Sequence, residues 1–212
     1  MKKRPHVLVV LASMSVFAAA LPVRGASLAG STVIFDSFTP PNMGGFSSGD
    51  QGLLTEITVT SDTRITEFSI LNELFQPGYL RFALLSYPDP DFLILTAPTG
   101  FGQDAPGIPT WKSSGPVDLL LEAGHTYLVG YAHDVSLNDY LDYVSESQNG
   151  IESNTNLHLL DGFEDPSYDR LFHSGADGAI RLSVIPEANP CLLILSSCLM
   201  GAFRRRRRSV GS

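Results

Sequence analysis

The sequence is short of cysteine: its 212 residues include two, Cys191 and Cys198, both near the C-terminus. On a helix these residues would lie roughly 10 Å apart, whereas a disulfide requires Cα atoms within about 7 Å. The region before them therefore has neither a disulfide nor a thiol nucleophile. Residues 30–184 are numerous enough to bury an adequate hydrophobic core without cross-links, and their length favours a single domain.

Basic residues are also scarce between the two ends of the chain. Residues 30–187 contain five basic residues and all 22 acidic residues of the chain, which gives this region a charge of about −17. The five are Arg64, Arg81, Lys112, Arg170 and Arg181. This acidity repels polyanions. It therefore argues against nucleic acid and anionic lipid surfaces as partners, and it permits divalent cations and neutral glycans.

The same region lacks an apolar stripe with helical spacing. Apolar and polar residues instead alternate in short segments separated by Pro, Gly, Asp and Asn, which is typical of β-strands and turns. The predicted strands are residues 32–35, 53–60, 64–71, 79–86, 92–95, 117–121, 126–132, 156–160 and 179–184. Residues 139–148 come nearest to a helix but are expected to form a loop. Many short strands predict an all-β fold, a single β-sandwich or jelly-roll-like domain over residues 30–184.

The N-terminus has the layout of a secretory signal peptide. Lys2, Lys3 and Arg4 precede an apolar segment that ends in small residues. Residues 1–29 are therefore predicted to direct export. Cleavage after Ala20, Gly25 or Ala29 would fit equally well, and an uncleaved N-terminal anchor is the alternative.

The C-terminus combines a short apolar segment with a basic end. Residues 191–203 carry no charge, and five arginines follow them. Thirteen residues are fewer than the roughly 17–20 that usually span a bilayer, but arginine side chains can reach the headgroups and extend the effective span. Because a basic block after an apolar segment stays cytoplasmic, the segment is predicted to be a marginal transmembrane helix that anchors the protein transiently.

This order of features resembles the PEP-CTERM sorting signal of bacterial exported proteins. The box is Pro186-Glu187-Ala188, and residues 185–208 cover the whole signal. The basic end is Arg204, Arg205, Arg206, Arg207 and Arg208. The resemblance implies processing by an exosortase, followed by release to the cell surface or an extracellular exopolysaccharide matrix. The hairpin at residues 119–131 is similar to those of non-catalytic β-sandwich domains that precede such tails. A permanent C-terminal anchor is the alternative.

Enzymatic motifs are weak, so a non-enzymatic protein is expected. A G-x-S-x-G match at residues 45–49 follows a Pro-rich loop, whereas a nucleophile elbow requires a strand before it and a helix after it. The match is therefore predicted to be a flexible turn, and no histidines have zinc-binding spacing. Asp134, Asp139 and Asp142 are expected in one loop, where they are candidate ligands for Ca²⁺, which prefers hard oxygen atoms; solvated loop carboxylates are the alternative.

Three aromatic residues are candidates for glycan binding: Trp111, Tyr140 and Tyr143. Sugars stack on aromatic faces, although these side chains can equally belong to a core or its rim. The sequence therefore predicts an exported surface or matrix protein that associates with polysaccharide. The alternatives are a secreted hydrolase acting on that polysaccharide and an adhesin bridged by Ca²⁺.

Overall fold

The computed structural model describes residues 30–38, 44–48 and 51–185. The predicted signal peptide, residues 1–29, lies outside these residues. The predicted sorting signal, residues 185–208, also lies outside them apart from Ile185. The described residues form only β-strands, turns and irregular segments. They include no helix that is long and apolar enough to cross a membrane.

Two antiparallel sheets contain most of the strands. Sheet A has the spatial order β1-β17-β5-β12-β16, with β2 also beside β12 and β9 beside β5. Its strands are β1 (Thr32–Asp36), β2 (Gly44–Ser48), β5 (Glu67–Leu74), β9 (Thr110–Ser113), β12 (Leu137–Asp142), β16 (Asp177–Gly178) and β17 (Ile180–Val184).

Sheet B has the order β13-β14-β3-β11-β6-β7, with β15 beside β14 and β8 beside β6. Its strands are β3 (Gln51–Val59), β6 (Gly78–Tyr87), β7 (Phe92–Leu95), β8 (Thr99–Phe101), β11 (Thr126–His133), β13 (Ser147–Gln148), β14 (Ile151–Asp161) and β15 (Ser167–Ser174). A separate two-stranded sheet pairs β4 (Thr63–Ile65) with β10 (Leu119–Leu121).

The hydrophobic core lies between sheets A and B. Alternation along β3 turns Leu53, Ile57 and Val59 toward this core. Phe68 of sheet A meets Phe82 of sheet B edge to face, with ring centroids 5.8 Å apart. Side chains from both sheets thus share one buried cluster, which is the arrangement of a β-sandwich.

A second apolar cluster covers the outer face of sheet B. Its buried members are Leu54, Ala83, Leu85, Leu128, Ala132 and Leu160. Phe163, from the segment that leads into β15, and Tyr168, from β15 itself, pack against it. This face is therefore shielded by the chain itself instead of being solvated along its whole length.

β15 pairs with β14 in an interrupted register. Leu157 faces His173 and His158 faces Leu171, so Phe172 is an extra residue between them. A second shift makes Asp169 an extra residue. Among the described strands β15 pairs only with β14, so this doubly bulged strand forms an edge of sheet B.

The prediction of an all-β fold is confirmed, and each predicted strand overlaps a strand of the structure. Residues 64–71 are divided between β4 and β5, which the sequence did not predict. Residues 45–48 of the turn predicted at residues 45–49 belong to β2 instead. The loop predicted for Asp139 and Asp142 was also wrong: both residues belong to β12, which pairs with β5 and β2 and ends beside β16.

Candidate functional site

Trp111 lies on the outer face of sheet A. It faces Leu71 across the pairing of β9 with β5, so the two side chains share one side of the sheet. They belong to a small cluster with Tyr140, Ala179 and Phe38. The structure therefore brings together two of the three aromatic residues that the sequence proposed for glycan binding.

Neighbouring side chains fix the orientation of the half-buried Trp111 ring. Phe38 meets it edge to face with centroids 6.4 Å apart. The guanidinium carbon of Arg181 lies 3.8 Å from the ring centroid, and Arg181 Nε donates a hydrogen bond of 2.7 Å to Asp36 Oδ2. An indole held in this way loses little conformational freedom when it binds a ligand.

A cleft of about 330 Å³ opens beside Trp111. Its lining residues are Phe101, Gly102, Gln103, Asp104, Thr110, Trp111 and Lys112. Gln103 is exposed and its side-chain amide offers hydrogen-bonding groups, while Phe101 and Trp111 offer aromatic surface. A cleft with aromatic walls and a few polar groups suits a small polar ligand.

A buried ion pair lies at the inner side of this cleft. Lys112 Nζ contacts Asp104 Oδ2, and the two side chains are 3% and 8% exposed. Asp104 also accepts hydrogen bonds from the backbone N–H of Leu74 (2.8 Å) and the hydroxyl of Thr110 (2.6 Å). Burial lowers the pKa of Lys112, although Asp104 and Glu73 oppose this effect by favouring the charged ammonium.

The two predicted tyrosines have different surroundings. Tyr140 is buried, and its hydroxyl donates a hydrogen bond of 3.2 Å to Glu73 Oε2. Burial raises the pKa of Tyr140, and the negative charge of Glu73 raises it further. Tyr143 is 51% exposed and lies outside the Trp111 cluster. Tyr140 can thus support the position of Trp111 from below but offers little surface of its own.

The three predicted calcium ligands do not form a cluster. Asp134 Oδ1 accepts a hydrogen bond of 2.8 Å from the backbone N–H of Tyr79. Asp139 and Asp142 are buried on β12, at positions that alternation places on opposite faces. Within the described part of the chain, no three His, Cys, Asp or Glu side chains are arranged to hold a metal ion.

Asp142 instead faces another carboxylate. It lies directly opposite Asp177 across the pairing of β12 with β16, and both residues are fully buried. Burial, with a further contribution from the charge of Asp142, raises the pKa of Asp177 to about 7. The Ser153 hydroxyl and the backbone amides of Thr155 and Asn156 favour its charged form, but none makes a hydrogen bond of normal geometry with its oxygens.

A polar network on the outer face of sheet B was also missed by the sequence analysis. His158 is fully buried; its Nε2 lies 2.9 Å from Glu56 Oε2 and its Nδ1 lies 3.0 Å from the Tyr168 hydroxyl. Asn154 and Asn156 donate hydrogen bonds to Glu56 as well. Glu56 is distant in sequence from His158 and Tyr168, and the three residues match no motif, so only the strand pairing shows that they meet.

The sequence carries one signal for the Lys112–Asp104 pair. Lys112 is the only lysine between the two basic ends of the chain, and it directly follows Trp111. A single lysine beside the only tryptophan of an acidic domain is a reasonable candidate for a buried cation. In comparisons with known proteins, no family model matches this chain and no curated protein shows significant similarity to it.

Proposed function

We propose that this is an exported, non-enzymatic protein of the cell surface or extracellular matrix whose β-sandwich associates with a neutral polysaccharide. The observation that carries the proposal is the cleft beside Trp111, where an oriented indole borders exposed polar groups. The strong negative charge of the exported region favours a neutral glycan over an anionic one.

The single described carboxylate that lines the cleft supports binding over hydrolysis. Glycoside hydrolysis usually needs two carboxyl groups about 5–9.5 Å apart on either side of the bond that breaks. Asp104 is the one acidic residue among the described lining residues, and both of its oxygens are already engaged by Lys112, Leu74 and Thr110. This arrangement leaves neither a free general base nor a second carboxylate facing the cleft.

Affinity electrophoresis in gels containing neutral or uronic-acid polysaccharides tests the binding proposal. The wild-type protein should be retarded by a neutral polysaccharide, and Trp111→Ala should lose that retardation. Trp111→Phe should retain part of it, because a smaller aromatic face remains. Phe92→Ala removes an exposed aromatic ring from β7, outside the cleft residues, and is the matched control. Equal retardation of the Trp111→Ala and wild-type proteins would disprove this site.

The sorting proposal rests on the sequence of the tail. We expect an exosortase-type enzyme to remove about the last 20 to 25 residues after the apolar segment has anchored the chain transiently in the membrane. The intact mass of the protein from its native host, with and without that enzyme, decides the question. A mass that includes Arg204 to Arg208 in both strains would show a permanent anchor instead.

A bridging Ca²⁺ remains a separate expectation from the sequence. Asp142 and Asp177 are the described carboxylates that face each other directly, and Asp134 and Asp139 lie elsewhere. Thermal unfolding in calcium and in chelator tests for such an ion. A midpoint that rises with calcium in the wild type but not in Asp142→Asn would support a bound ion, and identical midpoints would exclude a stabilising one.

A further inference from the structure

Lys112 and Asp104 are held in an environment that is unusual for a salt bridge. Lys112 Nζ is surrounded by oxygen atoms: Asp104 Oδ2, Thr110 Oγ1 at 2.7 Å and the carbonyl oxygens of Asn72 at 2.9 Å and Thr110 at 3.3 Å. Its side chain is almost completely excluded from water. Solvent therefore cannot separate the amine from the carboxyl group.

Burial also changes which forms of the pair are accessible. Removing two charges from water is costly, so a buried ammonium and carboxylate lie closer in energy to the neutral amine and carboxylic acid than an exposed pair does. The lowered pKa of Lys112 agrees with this reasoning. A neutral amine in contact with a carboxylic acid is the reactant pair for amide formation.

The backbone places the two groups before any reaction begins. Two hydrogen bonds hold Asp104 to Leu74. The backbone N–H of Asp104 donates to the Leu74 carbonyl oxygen (3.0 Å), and Asp104 Oδ2 accepts from the Leu74 N–H. Lys112 is fixed in β9 opposite Ile70. Groups oriented in this way react with effective molarities far above those of free reactants.

We propose that Lys112 and Asp104 condense to form an intramolecular amide bond between Nζ and the side-chain carboxyl carbon. The bond would close a ring through residues 104–112 and fix the segment that forms one wall of the Trp111 cleft. It requires no cofactor or external reagent. It is also independent of whether the cleft binds a polysaccharide.

The reaction begins when a proton moves from the ammonium to the carboxylate, leaving an amine and a carboxylic acid. The lone pair of Nζ then bonds to the carboxyl carbon, and the carbonyl π electrons move onto Oδ2. One proton passes from Nζ to the Oδ1 hydroxyl, the bond from carbon to Oδ1 breaks with its electron pair, and one water molecule leaves. The carbonyl re-forms at Oδ2, and no atom is oxidised or reduced.

Two neighbouring groups have the geometry to assist this reaction. Thr110 Oγ1 lies 2.7 Å from Lys112 Nζ and 2.6 Å from Asp104 Oδ1, so it can accept a proton from the nitrogen while it donates its own to the leaving oxygen. The Leu74 N–H points at Oδ2, where negative charge develops. Thr110 is therefore the predicted proton-transfer residue.

Tryptic mapping of the purified full chain by mass spectrometry tests the proposal. Between Arg81 and Arg170 trypsin has one site, Lys112. The amide would block it, so we expect a single peptide of residues 82–170 whose mass is lower than the sequence mass by one water molecule. Two peptides of full mass, divided after Lys112, would overturn the proposal.

Variants separate this amide from other dehydrations. Lys112→Met and Asp104→Ala should each have the full mass calculated from the sequence of the variant. A Lys112→Met protein that still lacks one water molecule would show that Asp104 reacted with its own backbone, which also overturns the proposal. Thr110→Val should slow the mass change by about a hundredfold or more, whereas Thr99→Val on β8 should not alter it. If Lys112→Met fails to fold, the wild-type tryptic map still decides.

Discussion

Replacing Asp177 with asparagine should make the protein more stable at alkaline pH and reduce the dependence of its stability on pH. Asp177 is fully buried opposite Asp142, and its pKa rises from the ordinary 3.8 to about 7 in the folded state. Between these values the folded protein holds a proton that the unfolded chain has lost. The stabilising contribution is therefore complete below pH 3.8 and is lost as the pH rises through 7.

The size of the effect follows from the shift. A change of one pKa unit corresponds to about 1.4 kcal/mol, so the shift from 3.8 to about 7 corresponds to roughly 4 kcal/mol of unfolding free energy. Asparagine has no proton to lose and cannot become charged in this range. We therefore expect the stability difference between pH 5 and pH 8.5 to fall by a few kcal/mol in Asp177→Asn.

Urea unfolding at pH 5 and pH 8.5, monitored by tryptophan fluorescence in the presence of chelator, measures this difference. Asp118→Asn is the matched control, because Asp118 is exposed and its pKa is lowered by a hydrogen bond to Arg64. The control should keep the wild-type change between the two pH values. If Asp177→Asn keeps that change as well, Asp177 is not the group that gains the proton, and the argument from the buried pair is wrong.

Two further predictions concern the strands of sheet B. Gly130→Ala should lower the thermal unfolding midpoint by roughly 6–12 °C, because a Cβ there would lie 1.9 Å from the carbonyl oxygen of Leu53. Gly102 has open space around it, so Gly102→Ala should leave the midpoint nearly unchanged. Equal midpoints for the two variants would refute this packing. His158→Leu should reduce the free energy of unfolding by about 1–3 kcal/mol, since it removes one of the three described hydrogen-bond partners of Glu56. In a double-mutant cycle with Glu56→Gln, losses that simply add would contradict the coupling.

The fold could be predicted wherever local pattern and burial agree. The alternation along β3 and β11 identified the central strands of sheet B, because one side of each faces the core. β12 was missed because it contains Asn138, Asp139 and Asp142, residues that normally favour turns. Its place between β5 and β2, which are distant in sequence, holds these residues in a strand.

The candidate site could be predicted only in part, for a similar reason. Trp111 was selected as a rare aromatic residue, and the structure places it beside a cleft. The role of Lys112 depends on contacts with Asp104 and Asn72, which only the pairing of β9 with β5 establishes. Composition indicates which residue types are scarce, but the surroundings of a scarce residue depend on tertiary packing.

The two bulges of β15 affect how the molecule behaves among its own copies. A regular free strand edge presents evenly spaced N–H and C=O groups that can recruit a strand from another chain, the first step toward fibres. In β15 the extra residues Asp169 and Phe172 interrupt that spacing, and Arg170 adds a charge between them. A second chain could match only a few residues before losing register, so this edge resists aggregation even where copies are crowded.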